Sequence, residues 1–110
     1  MGEVQEVVFF YYYIYMKLVS VKRVGGDKEF VAVFERSDGR TKTTRFGTSS
    51  NYVSNPDKTK EDRKNYIARH RVNENFNDPS SAGALSRWLL WGESRSLEKN
   101  ISAFKKRFNL

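Results

Sequence analysis

The sequence contains no cysteine and only one histidine. Without thiols the chain can form neither a disulfide scaffold nor a thiolate-ligated metal site. One imidazole cannot supply a multi-histidine zinc site within a single chain. These shortages predict a protein that holds no metal and needs no resident cofactor.

Known catalytic motifs are also missing. The sequence has no GxxxxGK[ST] phosphate-binding loop, no HExxH zinc motif and no Ser-His-Asp set that spacing would reveal. Asp57, Glu61 and Asp62 could gather Mg²⁺, but acidic residues in the first turn of a helix are more simply explained by the helix dipole. The sequence therefore predicts that the protein is not an enzyme.

Long hydrophobic runs are scarce, and the longest spans only the ten residues from Val7 to Met16. A membrane-spanning helix needs about 20 such residues. The N-terminus carries Glu3 and Glu6, whereas a secretory signal begins with positive charge. We expect no membrane insertion and no secretion, and a location in the cytoplasm or nucleus.

What the sequence does contain suits one small globular domain. Its 110 residues are 38% hydrophobic and 15% aromatic, and such an aromatic share is untypical of disordered chains. We expect residues 1–110 to form a single domain, with strands over about residues 6–47 and helices over about 58–108.

Three predicted strands fill the first half. Residues 7–16 are rich in Val, Phe and Tyr, which favours extended structure. The segments 28–36 and 40–46 follow, separated by the Asp38-Gly39 turn pair that is typical of hairpins. Together the three segments predict an antiparallel meander.

Helical periodicity appears in the second half. A first helix begins after Asp57 or Thr59 and ends near residue 71, and a second is predicted from Asp78-Pro79 to Gly92. A third follows Ser94 or Ser96 and carries an apolar stripe, namely Leu97, Ile101, Phe104 and Phe108. The fold class is therefore α+β, a three-stranded antiparallel meander packed by two or three C-terminal helices.

The net charge is +7, and it is unevenly distributed. Residues 1–56 carry eight Lys and Arg against six Asp and Glu, and residues 57–110 carry 12 against seven. An excess of this kind favours polyanionic partners, because binding releases condensed counterions. Solubility alone is the simpler explanation that remains open.

Candidate nucleic-acid contacts lie in the basic second half, because Arg offers a planar donor fork to phosphate or guanine and Asn can pair with adenine. The candidates are Arg69, Arg71, Asn73, Arg87, Lys105, Lys106 and Arg107. Each has a structural alternative. Cations complement the dipole at a helix C-terminus, and Arg87 could stack on Trp88 as a cation–π pair.

Alternation along the first predicted strand gives it two apolar faces, one of which carries Phe9, Tyr11, Tyr13 and Tyr15. A chain of this size has too few helices to cover both faces. We therefore expect the aromatic face to form a homodimer interface, where Tyr and Phe are enriched. A base-stacking platform and burial beneath the helices are the alternatives.

The segment from Tyr66 to Trp91, which reads YIARHRVNENFNDPSSAGALSRWLLW, resembles a family of small uncharacterised proteins of large nucleocytoplasmic DNA viruses. The flanking Arg45-Phe46-Gly47 and the run Phe104–Phe108 share in the resemblance, which covers roughly the second half of the chain. It implies a viral context, with the virion interior as a further location.

Together with the charge, the resemblance leads to one hypothesis and one alternative. The hypothesis is a non-enzymatic, basic nucleic-acid-binding protein of a large DNA virus, homodimeric and packaged in the particle, with DNA favoured over RNA. The alternative is a structural or host-interaction protein of the virion that binds no nucleic acid.

Overall fold

A computed structural model describes residues 16–110, and these form a three-stranded antiparallel sheet followed by three helical segments. The sheet has the strand order β1-β2-β3, which confirms the predicted α+β fold with a meander at its N-terminal side. The strands are β1 (Lys17–Arg23), β2 (Phe30–Glu35) and β3 (Thr41–Phe46).

Most of the predicted first strand, including Phe9, Tyr11, Tyr13 and Tyr15, lies outside the described residues. The structure begins at its last residue, Met16, and β1 follows directly. Met16 and Leu18 are both buried, as the alternation predicts for one shared face. An irregularity in the pairing with β2 falls between Leu18 and Ser20, and Val19 at that point is 55% exposed.

One face of the sheet supplies half of the core. Phe30, Ala32 and Phe34 alternate along β2 and are all buried, as period-two patterning requires. Phe30 pairs with Phe46 of β3, and their rings stack with centroids 5.7 Å apart. Cross-strand aromatic pairs of this kind stabilise the sheet register.

The predicted hairpin between β2 and β3 is confirmed. Arg36 donates its backbone N–H to the carbonyl of Arg40 at 2.8 Å, and the Asp38 carboxylate accepts the N–H of Arg40 at 3.0 Å. Gly39 has a φ of +86°, a conformation in which glycine carries no steric cost.

The first helix, α1, spans Lys60–His70. Thr59 rather than Asp57 is its N-cap: the Thr59 hydroxyl accepts the N–H of Asp62, and the Asp62 carboxylate accepts the N–H of Thr59. This capping box satisfies two backbone donors that the helix itself leaves unpaired. The hydrogen bonds from Thr59 hold the pKa of Asp62 below its usual value.

The second helical segment differs from the prediction. Helix α2 spans only Ala82–Leu85 and continues directly into a π-helical turn, Ser86–Leu90. The expected start at Asp78-Pro79 is wrong, because the Asp78 carboxylate accepts the N–H of Ser80 in a local turn. The N-cap is Ser81, whose hydroxyl accepts the N–H of Ala84.

The last helix, α3, spans Leu97–Phe108, with Ser96 as its N-cap. Its predicted apolar stripe faces the core: Phe104 is buried, and Leu97, Ile101 and Phe108 pack against the buried cluster. The core thus lies between the sheet and the segment from α2 to α3, and it holds Leu85, Leu89, Leu90 and Trp91 with the sheet's phenylalanines.

Candidate functional site

A cleft of about 570 Å³ opens between α3 and the chain that follows the π-helical turn. Its floor includes Asn100 and Phe104, and its walls include Gly92 and Ser94 on one side and α3 on the other. Trp88, which belongs to the π-helical turn, also lines it. The cleft therefore brings an aromatic ring close to the exposed side of the last helix.

Asn100 fixes the floor of the cleft. It is 4% exposed, and its amide N–H₂ donates to the carbonyls of Leu89 at 3.0 Å and Ser94 at 2.7 Å. Its side-chain oxygen accepts the N–H of Ser94 at 3.1 Å. A buried amide with this many partners is costly to disturb, so the chain between the π-helical turn and α3 is held in one position.

Gly92 is required at the wall for reasons of space. A side chain there would overlap the carbonyl oxygen of Trp88 and the amide of Asn100. The sequence predicts that the second helix ends at Gly92, but Gly92 is not among the described glycines with positive φ, so it is not a left-handed helix cap. The absence of a β-carbon allows the backbone at residue 92 to lie close to Trp88 and Asn100.

Cations line the α3 side of the cleft. Lys99, Lys106 and Arg107 are all exposed, and they share one side of the helix with the small residue Ala103. Their spacing of i, i+7 and i+8 places them on that side, whereas Lys105 lies about 100–160° around the helix from each of them and does not line the cleft. The predicted run Lys105-Lys106-Arg107 is thus divided between two sides of α3.

Trp88 is held by polar and aromatic contacts. Its indole Nε1–H donates to the carbonyl of Phe76 at 2.8 Å, and its ring meets Phe108 edge-on with centroids 6.2 Å apart. Two guanidinium groups lie over the ring, that of Arg87 at 4.1 Å and that of Arg107 at 3.9 Å from the centroid. The cation–π alternative for Arg87 is therefore present in the structure.

Three arginines, Arg63, Arg87 and Arg107, lie close together near this ring. Arg87 donates to the carbonyl of Trp91 at 3.2 Å, and Arg63 of α1 donates to the carbonyls of Trp91 at 3.0 Å and Gly92 at 2.8 Å. Burial, together with the positive charges of Arg63 and Arg107, lowers the pKa of Arg87 to about 10, although the carboxylate of Glu93 acts in the opposite direction. The site concentrates positive charge, and an anion bound there would offset the repulsion.

A separate aromatic stack anchors α1 to this region. Tyr66 lies parallel to Trp91, with centroids 4.2 Å apart and an interplanar angle of 5°, and its other neighbour is the His70 ring at 4.0 Å. Burial raises the pKa of Tyr66 to about 12, and the carboxylate of Glu74 adds to the effect. Tyr66 is therefore neutral at physiological pH. Trp91 packs against Tyr66 and does not line the cleft.

The structure separates the predicted contact residues into two groups. Arg87, Lys106 and Arg107 come together around Trp88 at the cleft. The other group lies elsewhere: Arg69, Arg71 and Asn73 are exposed at the C-terminal end of α1 and the turn after it, and Lys105 is on another side of α3.

Sequence reasoning missed two cations of this region, Lys99 and Arg63. Lys99 could have been found, because it precedes Lys106 by seven residues and so lies on the same side of one helix. Arg63 carries no comparable indication, because its position depends on how α1 packs against the chain near Trp91.

Few cations are neutralised by neighbouring carboxylates. Of the 20 Lys and Arg side chains, only Arg23 and Arg40 form ion pairs within residues 16–110, with Glu29 and Asp38 respectively. Both pairs lie in the sheet half of the molecule. The cations of the cleft are therefore free to meet an external anion, as far as the described residues are concerned.

Two other kinds of site are absent from the part of the chain that the structure describes. Residues 16–110 contain no group of three or more His, Asp or Glu side chains placed to hold a metal ion. Within the same range, no helix has the length and apolar character needed to cross a membrane.

The sequence and the fold were compared with known proteins. No family model matches the sequence, and no significant similarity is found to curated proteins or to solved structures.

Proposed function

We propose that this is a non-enzymatic, basic nucleic-acid-binding protein of a large DNA virus, packaged in the particle or acting at the viral genome in the cytoplasm or nucleus. The viral part rests on the resemblance of the Tyr66–Trp91 segment. The binding part rests on the charge and on the cleft beside Trp88, and DNA is the preferred nucleic acid in a virus with a DNA genome.

The observation that carries the binding proposal is the convergence of cations without carboxylate partners. Lys99, Lys106 and Arg107 line the cleft, and Arg87 and Arg63 lie behind it. Lys and Arg in such numbers are suited to phosphate oxygens, which accept charge-assisted hydrogen bonds. Within residues 16–110, Glu93 is the one acidic side chain that lines the cleft, against the three cations of α3, so the balance there is positive.

Recognition of a particular base sequence is not part of the proposal. The RNA-recognition motif of aromatic and glycine residues is absent from the sequence. Contacts to phosphate position a protein on nucleic acid but carry no sequence information. Arg69 and Arg71 would add further phosphate contacts along a longer strand, from the end of α1.

The proposal predicts an affinity for nucleic acid that depends strongly on the salt concentration. We expect measurable affinity for DNA at about 50 mM salt, little variation among sequences of equal length, and a loss of roughly tenfold or more at about 200 mM. Fluorescence anisotropy with labelled oligonucleotides at the two salt concentrations measures both quantities. Absence of binding to any strand at low salt would contradict the proposal and favour the structural or host-interaction role in the virion.

We also propose that the protein is a homodimer, from the sequence alone. The run from Val7 to Met16 is apolar on both faces, and an exposed face of that kind promotes association. Light scattering at micromolar concentration should give about twice the chain mass of 12.9 kDa. Tyr13→Asp should shift the protein toward the monomer, and a wild-type mass equal to that of one chain would contradict the prediction.

A further inference from the structure

The size and shape of the cleft bear on the form of nucleic acid that fits it. Its volume of about 570 Å³ falls within the range of roughly 300–1,000 Å³ that is usual for small-ligand sites. A duplex keeps its bases stacked inside the helix, so it could touch such a cleft only with backbone phosphates at the rim. A single strand can place a whole nucleotide, base included, inside a concave site.

An aromatic ring is available in the cleft to receive a base. Of the two tryptophans, Trp91 is 7% exposed and its face is covered by Tyr66. Trp88 is half-buried and lines the cleft. Bases of single strands commonly stack on aromatic side chains in positively charged grooves, with little preference for one base over another.

The two guanidinium groups over Trp88 are not equally fixed. Arg87 is half-buried and tethered to the carbonyl of Trp91. Arg107 is exposed in the last turn of α3, and its guanidinium makes no hydrogen bond or ion pair with any residue of the range 16–110. Arg107 can therefore leave the indole without breaking a polar contact to a described residue.

We propose, on the basis of the nucleic-acid-binding function above, that the cleft is a single-strand site. One base takes the place of the Arg107 guanidinium on Trp88, and Arg107 and Lys106 then each hold a phosphate of the strand beside that nucleotide. Glu93 also lines the cleft and repels phosphate, so the phosphate lies beside the cations of α3 rather than beside Glu93. The cleft thus selects single strands over duplex, through a ring that a paired base cannot reach.

The indole N–H signals of the ¹⁵N-labelled protein test this directly, because the chain has only two tryptophans. The wild type is titrated with a single strand of about ten nucleotides, a typical site size, and with the duplex of the same sequence. We expect the Trp88 signal to shift with the single strand and not with the duplex, and the Trp91 signal to stay in place with both. Affinity for the single strand should exceed that for the duplex by about tenfold, which is the usual contribution of one stacked base.

Trp88→Leu provides the matching variant. It should lose about tenfold in affinity for the single strand and leave duplex affinity unchanged. If both forms bind equally and the Trp88 signal does not move, the single-strand site is wrong while nucleic-acid binding stands. If neither form binds at low salt, both proposals fail. The wild-type indole signals decide the question even if Trp88→Leu does not fold.

Discussion

Gly47→Ala is expected to destabilise the protein by about 3 kcal/mol or more, because two separate costs fall on one residue. Gly47 has a φ of +73°, and a non-glycine residue held in such a conformation costs roughly 1–3 kcal/mol. A β-carbon there would also overlap Cδ1 of Leu90. Leu90 is fully buried in the core, so it cannot move aside freely, and overpacking of this kind costs roughly another 1–3 kcal/mol.

Gly39→Ala is the matched control for Gly47→Ala. Gly39 has a similar φ of +86°, but a β-carbon there would meet nothing within 4 Å. It should cost only about 1 kcal/mol, from backbone strain alone. Urea unfolding of both variants measures the difference between them. Equal losses would mean that Leu90 adapts to the new methyl group, contrary to the close packing described above.

Gly47→Ala is expected to affect the cleft as well as the stability of the protein. Gly47 follows β3 directly, and Leu90 ends the π-helical turn that carries Trp88. Their contact is therefore one place where the sheet fixes the position of the cleft's aromatic wall. A loosened contact here should weaken binding in addition to lowering the free energy of unfolding.

Local patterns in the sequence account for most of the fold. The alternation of Phe30, Ala32 and Phe34 predicts which face of β2 is buried, and the Asp38-Gly39 pair predicts the hairpin. Both depend on neighbours a few residues apart, so they can be read without knowledge of the tertiary structure. The apolar stripe from Leu97 to Phe108 is predictable for the same reason.

The second helical segment could not be predicted in this way. The sequence predicts Asp78 before Pro79 as the N-cap, whereas the structure uses Ser81, because Asp78 already closes a local turn with Ser80. The π-helical turn has no local indication at all. Its geometry, with the N–H of Trp91 donated to the carbonyl of Ser86 at 3.0 Å, is not encoded by any spacing of residue types.

The candidate site was predictable only where it depends on a single element. Lys106 and Arg107 follow from their exposure on α3, and the Arg87–Trp88 contact follows from their adjacency in sequence. The meeting of α1, the π-helical turn and α3 is tertiary, so the convergence of Arg63, Arg87 and Arg107 could not be foreseen.

The largest expected effect on binding comes from neutralising the cleft. The triple variant Lys99→Gln, Lys106→Gln, Arg107→Gln removes three exposed cations that share one side of α3. Each phosphate contact on a single strand contributes about 0.7 to the salt slope, so three lost contacts should lower affinity roughly 100-fold at about 0.1 M salt. The slope itself should flatten by about two.

The control variant removes the same number of positive charges at positions outside the cleft. Lys17→Gln, Arg36→Gln, Lys105→Gln also replaces two lysines and one arginine, all exposed and none lining the cleft. Both triple variants lower the net charge by three, so a difference between them reports on position rather than on total charge. Urea unfolding checks that both are folded, because surface changes of this kind usually alter stability by less than about 0.5 kcal/mol.

The claim that nucleic acid binds at the cleft is tested most directly by the affinity of these two variants for one single strand, measured side by side across a salt series. Binding at the cleft predicts a loss of roughly 100-fold for the cleft variant and less than about threefold for the control, with a flatter slope only in the first. Equal losses in the two variants, or an unchanged affinity in the cleft variant, would contradict the account.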